Sequence, residues 1–343
     1  MTGKMRHAGG ILLAAAMTLS VTFSGGSIVY ADGDTITISG VEDLERLAKN
    51  CKLDTWSQGK TVVLAGDLDL ADSDFKSIPT FGGTFDGGGH TISGLTFDGD
   101  GSNEGFFRYV QESATVKNLH IEGTLTPTGT KKNIGGVAGS NSGQILSCTF
   151  NGTIDAQTNV GGIAGINEES GSIYNSSASG SITGTHSTGG VVGRNLGQII
   201  NCSNEADVNT GEHEEGATLE DLNLDTNLKQ LSDSDGKSDI VNTTTDTGGI
   251  CGYSSGVVQN STNEGHIGYP HIGYNVGGVA GRSAGYLSGN RNYGYVEGRK
   301  DVGGITGQMA PDLTLRFDTD KIEELRGEIN KLGDLVDAAL DHV

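Results

Sequence analysis

Apolar residues in this chain recur in columns rather than in runs. A block of the form Gly-Gly-apolar-small-Gly begins at Gly135, Gly161, Gly189, Gly248, Gly277 and Gly303. The spacing is nearly even except from Gly189 to Gly248, a step twice the length of the others. Aligning the copies gives three apolar columns. The first reads Val137, Ile163, Val191, Ile250, Val279, Ile305, and the second Val116, Ile145, Ile173, Ile199, Val258, Leu287. The third reads Leu125, Ile154, Ile182, Val208, Ile267, Val296. Most of these side chains are β-branched, which suits short, stiff strands with one face against a packed interior. Gly123, Gly152, Gly180, Ala206, Gly265 and Gly294 precede the third column, where glycine's tolerance of positive φ would let the chain bend between strands.

Three short strands cannot bury an apolar face alone, so the repeats must stack, each about 4.8 Å above the last. The fold predicted is all-β: a parallel β-helix of roughly eight rungs over residues 61–310. Asn141, Asn167 and Asn195 fall at one position, followed by Ser254 and Ser283, and asparagines stacked in register form a hydrogen-bonded ladder. A degenerate copy starts near Gly105, with Phe106 and Phe107 in place of small core residues. The long step holds one repeat plus an acidic insertion at about 209–246, in which Leu219, Leu222, Leu224, Leu228 and Leu231 suggest a short amphipathic segment. A propeller blade needs four strands in about forty residues and fits the spacing worse.

The two ends read as helices. Ser39 to Glu42 looks like a capping box, and Val41, Leu44, Leu47, Ala48 and Cys51 make one helical face, so residues 32–60 are assigned to an N-terminal cap. Such a cap would cover the strand edges that a β-helix exposes at its end. In 311–343, Ile322, Leu325, Ile329, Leu332, Val336 and Ala339 alternate steps of three and four, the seam of an amphipathic C-terminal helix. It reads equally as an oligomerising coiled-coil stalk or as a lid. Residues 1–31 read as a signal peptide: Lys4 and Arg6, then an apolar stretch from Ile11 to Phe23, then Val29 and Ala31 at a cleavage site. Thr18, Ser20, Thr22, Ser24, Gly25 and Gly26 interrupt the stretch, which argues against a membrane span. The expected location is secreted or cell surface.

Composition narrows the function classes. The formal charge of −21 becomes −23 once Lys4 and Arg6 leave with residues 1–31, which disfavours nucleic acid and anionic membranes as partners. The 57 glycines come with 4 prolines and no three-residue period, so the chain is not collagen-like. Four cysteines do not make a disulfide framework in so long a chain. Cys148 and Cys202 replace serine in a small-residue column that also holds Ser176 and Ser261.

The segments GGVAGSNSGQILSCTFNGTI, GGIAGINEESGSIYNSSASGSI and GGVVGRNLGQIINC resemble the GLUG motif of bacterial surface proteins, found also in adhesins and in non-catalytic regions of IgA-specific metallopeptidases. TVVLAGDLDL and GGTFDGGGHTISGLTF are similar to the entry rungs of such regions. The resemblance covers roughly residues 35–310 and implies a right-handed parallel β-helix on a cell surface. It implies little about ligand, because a shared scaffold does not carry a shared function.

Candidate chemistry is sparse. A zinc-protease helix needs two histidines four residues apart, and His213-Glu214-Glu215 is followed by Ala217 where the second should stand. Asp67, Asp69, Asp72, Asp74 and Asp86 carry the enzymatic alternative, a polysaccharide lyase or hydrolase. No Arg or Lys groups with them in the sequence, and outward alternation explains the Asp67 and Asp69 spacing equally well. Asp98, Asp100, Asn103 and Glu104, and separately Asp233, Asp235 and Asp239, are weak Ca²⁺ candidates, since neither set completes a twelve-residue loop. No other cofactor is expected. The strongest binding signal is aromatic: Tyr253, Tyr269, Tyr274, Tyr286, Tyr293 and Tyr295 accompany Arg282, Arg291 and Arg299, with His266 and His271. Tyrosine with arginine is what interface hot spots and glycan platforms use. The expected function is non-catalytic adhesion, ligand binding or scaffolding toward glycans or surface proteins; a third reading is a spacer within a longer surface protein.

Overall fold

The computed structural model describes residues 35–129, 131–211 and 244–309. The signal peptide, the leucines and His213–Glu215 of the insertion, Asp233, Asp235, Asp239 and the C-terminal helix lie outside these residues. Among the described residues no helix is long and apolar enough to cross a membrane.

All three sheets are built by parallel pairing between successive rungs. One rung shows the path. Thr158–Gly161 lies in the second sheet and Ala164–Asn167 in the third; Ser172–Tyr174 and Ser177–Thr183 then lie side by side in the first. Each rung therefore has four strand segments rather than three. The extra break is a bend within the first sheet, where Ser147, Asn175, Asn201 and Asn260 take φ near +50°. Asparagine and serine suit that left-handed corner, because a short polar side chain bonds locally. A second left-handed column, Asn133, Asn159, Ser187, Asp246 and Asn275, sits in the second sheet two residues before each Gly-Gly pair.

The predicted apolar columns are register columns. Val116, Ile145, Ile173, Ile199, Val258 and Leu287 pair in sequence, as do Leu125, Ile154, Ile182, Val208, Ile267 and Val296. Nearly all are fully buried. The first of these columns continues downward through Phe85, Val62 and Ile36, making a stack nine strands deep. The solenoid thus begins at Thr35–Ile38, inside the stretch assigned to the cap.

Two local expectations are corrected. Gly152 and Gly180 lie inside the strands Thr149–Asp155 and Ser177–Thr183, not at turns between strands. A Cβ on either would crowd the carbonyl oxygen of the glycine below, at 1.9 and 2.0 Å, so close stacking as well as positive φ demands glycine. The helix Val41–Asn50 does bury Leu44, Leu47 and Cys51 against the first rungs. Its N-cap, however, is Gly40, without a side-chain cap, and the Asp43 carboxylate instead reaches back to the Ser39 N–H at 2.9 Å.

Inside the solenoid Gly136, Gly162, Gly190, Gly249 and Gly278, the second glycines of five pairs, face one column: Phe150, Ala178, Asn204, Asn263, Asn292. A Cβ at Gly136 would meet the Phe150 ring at 2.1 Å, and one at Gly190 the Asn204 amide at 2.1 Å. The Gly-Gly corner exists so that this column has room. Below it, Phe81, Phe85, Phe106 and Phe107 pack with centroids 4.9–6.1 Å apart, and Phe75 joins through Phe106 at 5.5 Å. Phe106 and Phe107 occupy the expected degenerate copy, with Phe107 in register with Ala138.

Candidate functional site

The asparagine ladder is present. Asn141 Nδ2 donates to Asn167 Oδ1 at 2.8 Å, Asn167 to Asn195 at 2.8 Å, and Asn195 to Ser254 Oγ at 3.0 Å. All are fully buried, so the ladder is part of the core and not a ligand surface. The cysteines are structural in the same sense. The N–H groups of Cys148 and Cys202 each donate to the serine hydroxyl of the next rung, Ser176 and Ser261, at 3.1 Å. Burial pushes both thiols, and that of Cys251, up to about 12, so they stay protonated and unreactive. All four cysteines are free.

The early carboxylates are bound into local pairs. Asp67 Oδ1 accepts from the Thr91 N–H at 2.9 Å and lies 3.3 Å from His90 Nδ1; the backbone bond first, then His90, holds its carboxyl below the usual range. Asp86 is partly desolvated, which opposes ionisation. Bonds from the Gly88 N–H (3.0 Å), Asn118 (3.1 Å) and Lys117 Nζ (3.0 Å) outweigh that and lower its pKa. The pairing with Lys117 corrects the expectation that no basic residue groups with these aspartates. Asp86 and Lys117 are distant in sequence, and adjacent parallel strands bring them into register. Asp69, Asp72 and Asp74 line an open hollow with Glu42 and Glu45.

The described Ca²⁺ candidates do not converge. Asn103 accepts from Asn133 at 2.7 Å, and Glu104 turns inward to Arg108 (3.0 Å) and Ser77 (3.0 Å) while Asp98 stays at the surface. Among the described residues no group of three or more His, Cys, Asp or Glu can hold a metal ion.

The tyrosines do not share one face, because each rung turns through three sheets. Tyr286, Tyr293 and Tyr295 lie at the last described strands of the first sheet and are 59, 71 and 73% exposed. Arg291 stands between them, in register with Thr262. Tyr295 and His266 meet edge to face at 5.2 Å and, with Tyr269, Pro270, Thr210 and Glu297, line a hollow of 240 Å³. Tyr274 opens a second-sheet strand under Arg299, 5.7 Å from its ring. Tyr253 and Arg282 lie on the third sheet, with Arg194. Arg194 escaped the sequence reading because its partner ring lies on the far side of the insertion.

Residues 156–183 and 184–209 match the family model described as the GLUG motif, and each matched segment is one rung of the solenoid. The chain is 29% identical over 180 residues, 44% of its length, to halomucin of Haloquadratum walsbyi, of which the match spans 2%. Its fold is similar to the crystal structure of a candidate immunoglobulin A1 protease from Bacteroides ovatus, at 16% identity and a TM-score of 0.54, covering 82% of this chain and 84% of that one. The register-locked Gly-Gly corners run through the matched rungs and continue on both sides of them, so the chain is a parallel β-helix of repeated rungs, two of which match the GLUG motif.

Proposed function

We propose that this chain is a non-catalytic surface module that binds its ligand through side chains on the outside of its late rungs. The observation that carries the reading is the exposure of Tyr286, Tyr293 and Tyr295 at the last described strands of the first sheet, beside Arg291. Large amphipathic rings left in water without a core role are what binding surfaces use. The likeness to halomucin and the GLUG repeats support a place at the cell surface, with glycans or surface proteins as partners.

The test passes the purified chain over immobilised polysaccharides, mucins and matrix proteins, recording protein retained and sugar released. Retention without release, weakened about tenfold or more in a Tyr286→Ala/Tyr293→Ala double variant, is the expected result. Retention untouched by that variant rejects the tyrosine face.

A second reading, polysaccharide cleavage, has one observation in its favour: Asp67 with His90 and Asp86 with Lys117 lie on neighbouring early strands. Release of oligosaccharide that stops in an Asp86→Asn variant would establish it.

A further inference from the structure

The third sheet carries a feature that the tyrosine surface does not explain. One of its outward columns reads Ile166, Arg194, Tyr253, Arg282, Gln308 on successive rungs. The two guanidinium groups approach the same ring, Arg194 Cζ at 5.2 Å and Arg282 Cζ at 4.9 Å from the Tyr253 centroid. Parallel pairing fixes this: residues in register sit one strand spacing apart, so the two arginines stand about 10 Å apart along the solenoid axis.

The two arginines differ in what balances them. Arg282 Nη2 lies 3.2 Å from Asp246 Oδ2, a carboxylate buried in the left-handed column of the second sheet and also held by Asn275 at 2.7 Å. Arg194 is exposed and makes no ion pair among the described residues. His186 and Arg194 act on Asp246 only through longer-range attraction, more weakly than Arg282. None of the five residues in the column is acidic, in a chain of 43 acidic and 22 basic residues. A guanidinium over a ring face keeps its N–H donors at its edge, and that edge matches the planar oxygens of a carboxylate or the oxygens of a sulfate.

We infer that the Arg194–Tyr253–Arg282 column is a binding site for an anionic polysaccharide, whose carboxylate or sulfate groups engage the arginines with the chain laid along the solenoid axis. The site rests on the reading of the protein as a binding module but uses none of the residues of the exposed tyrosine surface. Asp246 competes with the ligand for Arg282, which makes the site tunable by a single substitution. Asn fits that position, since Asn159 and Asn275 occupy the same left-handed column.

The experiment measures retention of the full chain on immobilised dextran sulfate, polygalacturonate and neutral dextran across a sodium chloride gradient. Retention on a polyanion and not on neutral dextran is expected, falling with salt. Arg194→Gln, at an exposed position, should leave thermal unfolding unchanged and weaken retention about tenfold. Asp246→Asn should strengthen it by freeing Arg282. The polyanion held to higher salt tells whether sulfate or carboxylate is the preferred group. Equal retention on neutral dextran, no retention on either polyanion, or retention indifferent to both substitutions overturns the site. Loss of retention in Tyr286→Ala/Tyr293→Ala with Arg194→Gln unaffected overturns it while leaving the tyrosine surface standing.

Discussion

Between Phe75 and Phe150 the interior carries a cluster of aromatic rings among its aliphatic side chains, while from Asn204 to Asn292 one inward column carries amides. In the early rungs, Phe81, Phe85, Phe106 and Phe107 form one edge-to-face cluster with no polar atom to satisfy. In the late rungs, Asn204 Nδ2 donates to Asn263 Oδ1 at 2.8 Å and Asn263 to Asn292 at 2.7 Å, and each amide also bonds the backbone two residues on. The column itself changes character, from Phe150 through Ala178 to Asn204. Stacking permits both solutions. Rings need only volume and tolerate small shifts, whereas a ladder of amides holds only if every rung keeps its register. The early rungs therefore draw their stability from area and the late rungs from alignment.

Substitutions in the two regions should fail differently. Phe107→Ala leaves a void within the ring cluster and should cost about 3–5 kcal/mol in denaturant unfolding of the chain. A loss under about 1 kcal/mol would mean that the early core is not the close-packed body the centroids describe. Asn263→Ala should cost less, about 2–3 kcal/mol, by removing the amide that links Asn204 to Asn292 and leaving the buried Asn204 amide one partner short. Asn263→Leu sharpens the contrast. If the late rungs were held by apolar area, leucine would restore stability; if by the ladder, it restores none, because the neighbours remain unsatisfied. Recovery with leucine would remove the distinction between the two regions.

How much of this was legible follows the same division. The three mainly β-branched columns and the Asn141–Asn195 ladder could be read, because each keeps one residue type at a nearly constant offset from the Gly-Gly block, two residues longer only for the second and third columns in the copy that starts at Gly161. The Asn204–Asn292 ladder could not, because Phe150 and Ala178 interrupt its chemistry and no pattern search joins a phenylalanine to an asparagine. Both left-handed columns did leave a signal, an Asn, Asp or Ser two residues before each glycine pair and an Asn or Ser at the bends of the first sheet, replaced by Gly289 in the last. That signal passes for ordinary turn composition until the register is known. The candidate sites were least legible of all. Six tyrosines clustered in sequence do not share a face, with Tyr253 on the third sheet, Tyr274 on the second and Tyr286 on the first, while Arg194 and Tyr253, on opposite sides of the insertion, meet.

The smallest expected effect bears on the polar side of the comparison, at Asp246. Burial raises the pKa of this carboxyl above its ordinary value, against the opposing pulls of Asn275, Arg282, His186 and Arg194. A raised folded-state pKa means that the folded chain holds this proton more tightly than the unfolded chain does. As pH climbs above the ordinary carboxylate range, the unfolded state ionises first, and stability is lost until pH passes the folded value. Asp246→Asn keeps the bond to Asn275 and the left-handed backbone but removes the charge. The variant should match the parent at low pH and exceed it at neutral pH, by well under the ~3 kcal/mol expected for loss of a phenylalanine ring. The check is the difference in denaturation midpoint between the two chains from pH 3 to pH 7. A variant that is less stable at neutral pH would show that the pair with Arg282 contributes more than burial of its carboxylate costs, and the late rungs would then be held by charge as well as by alignment.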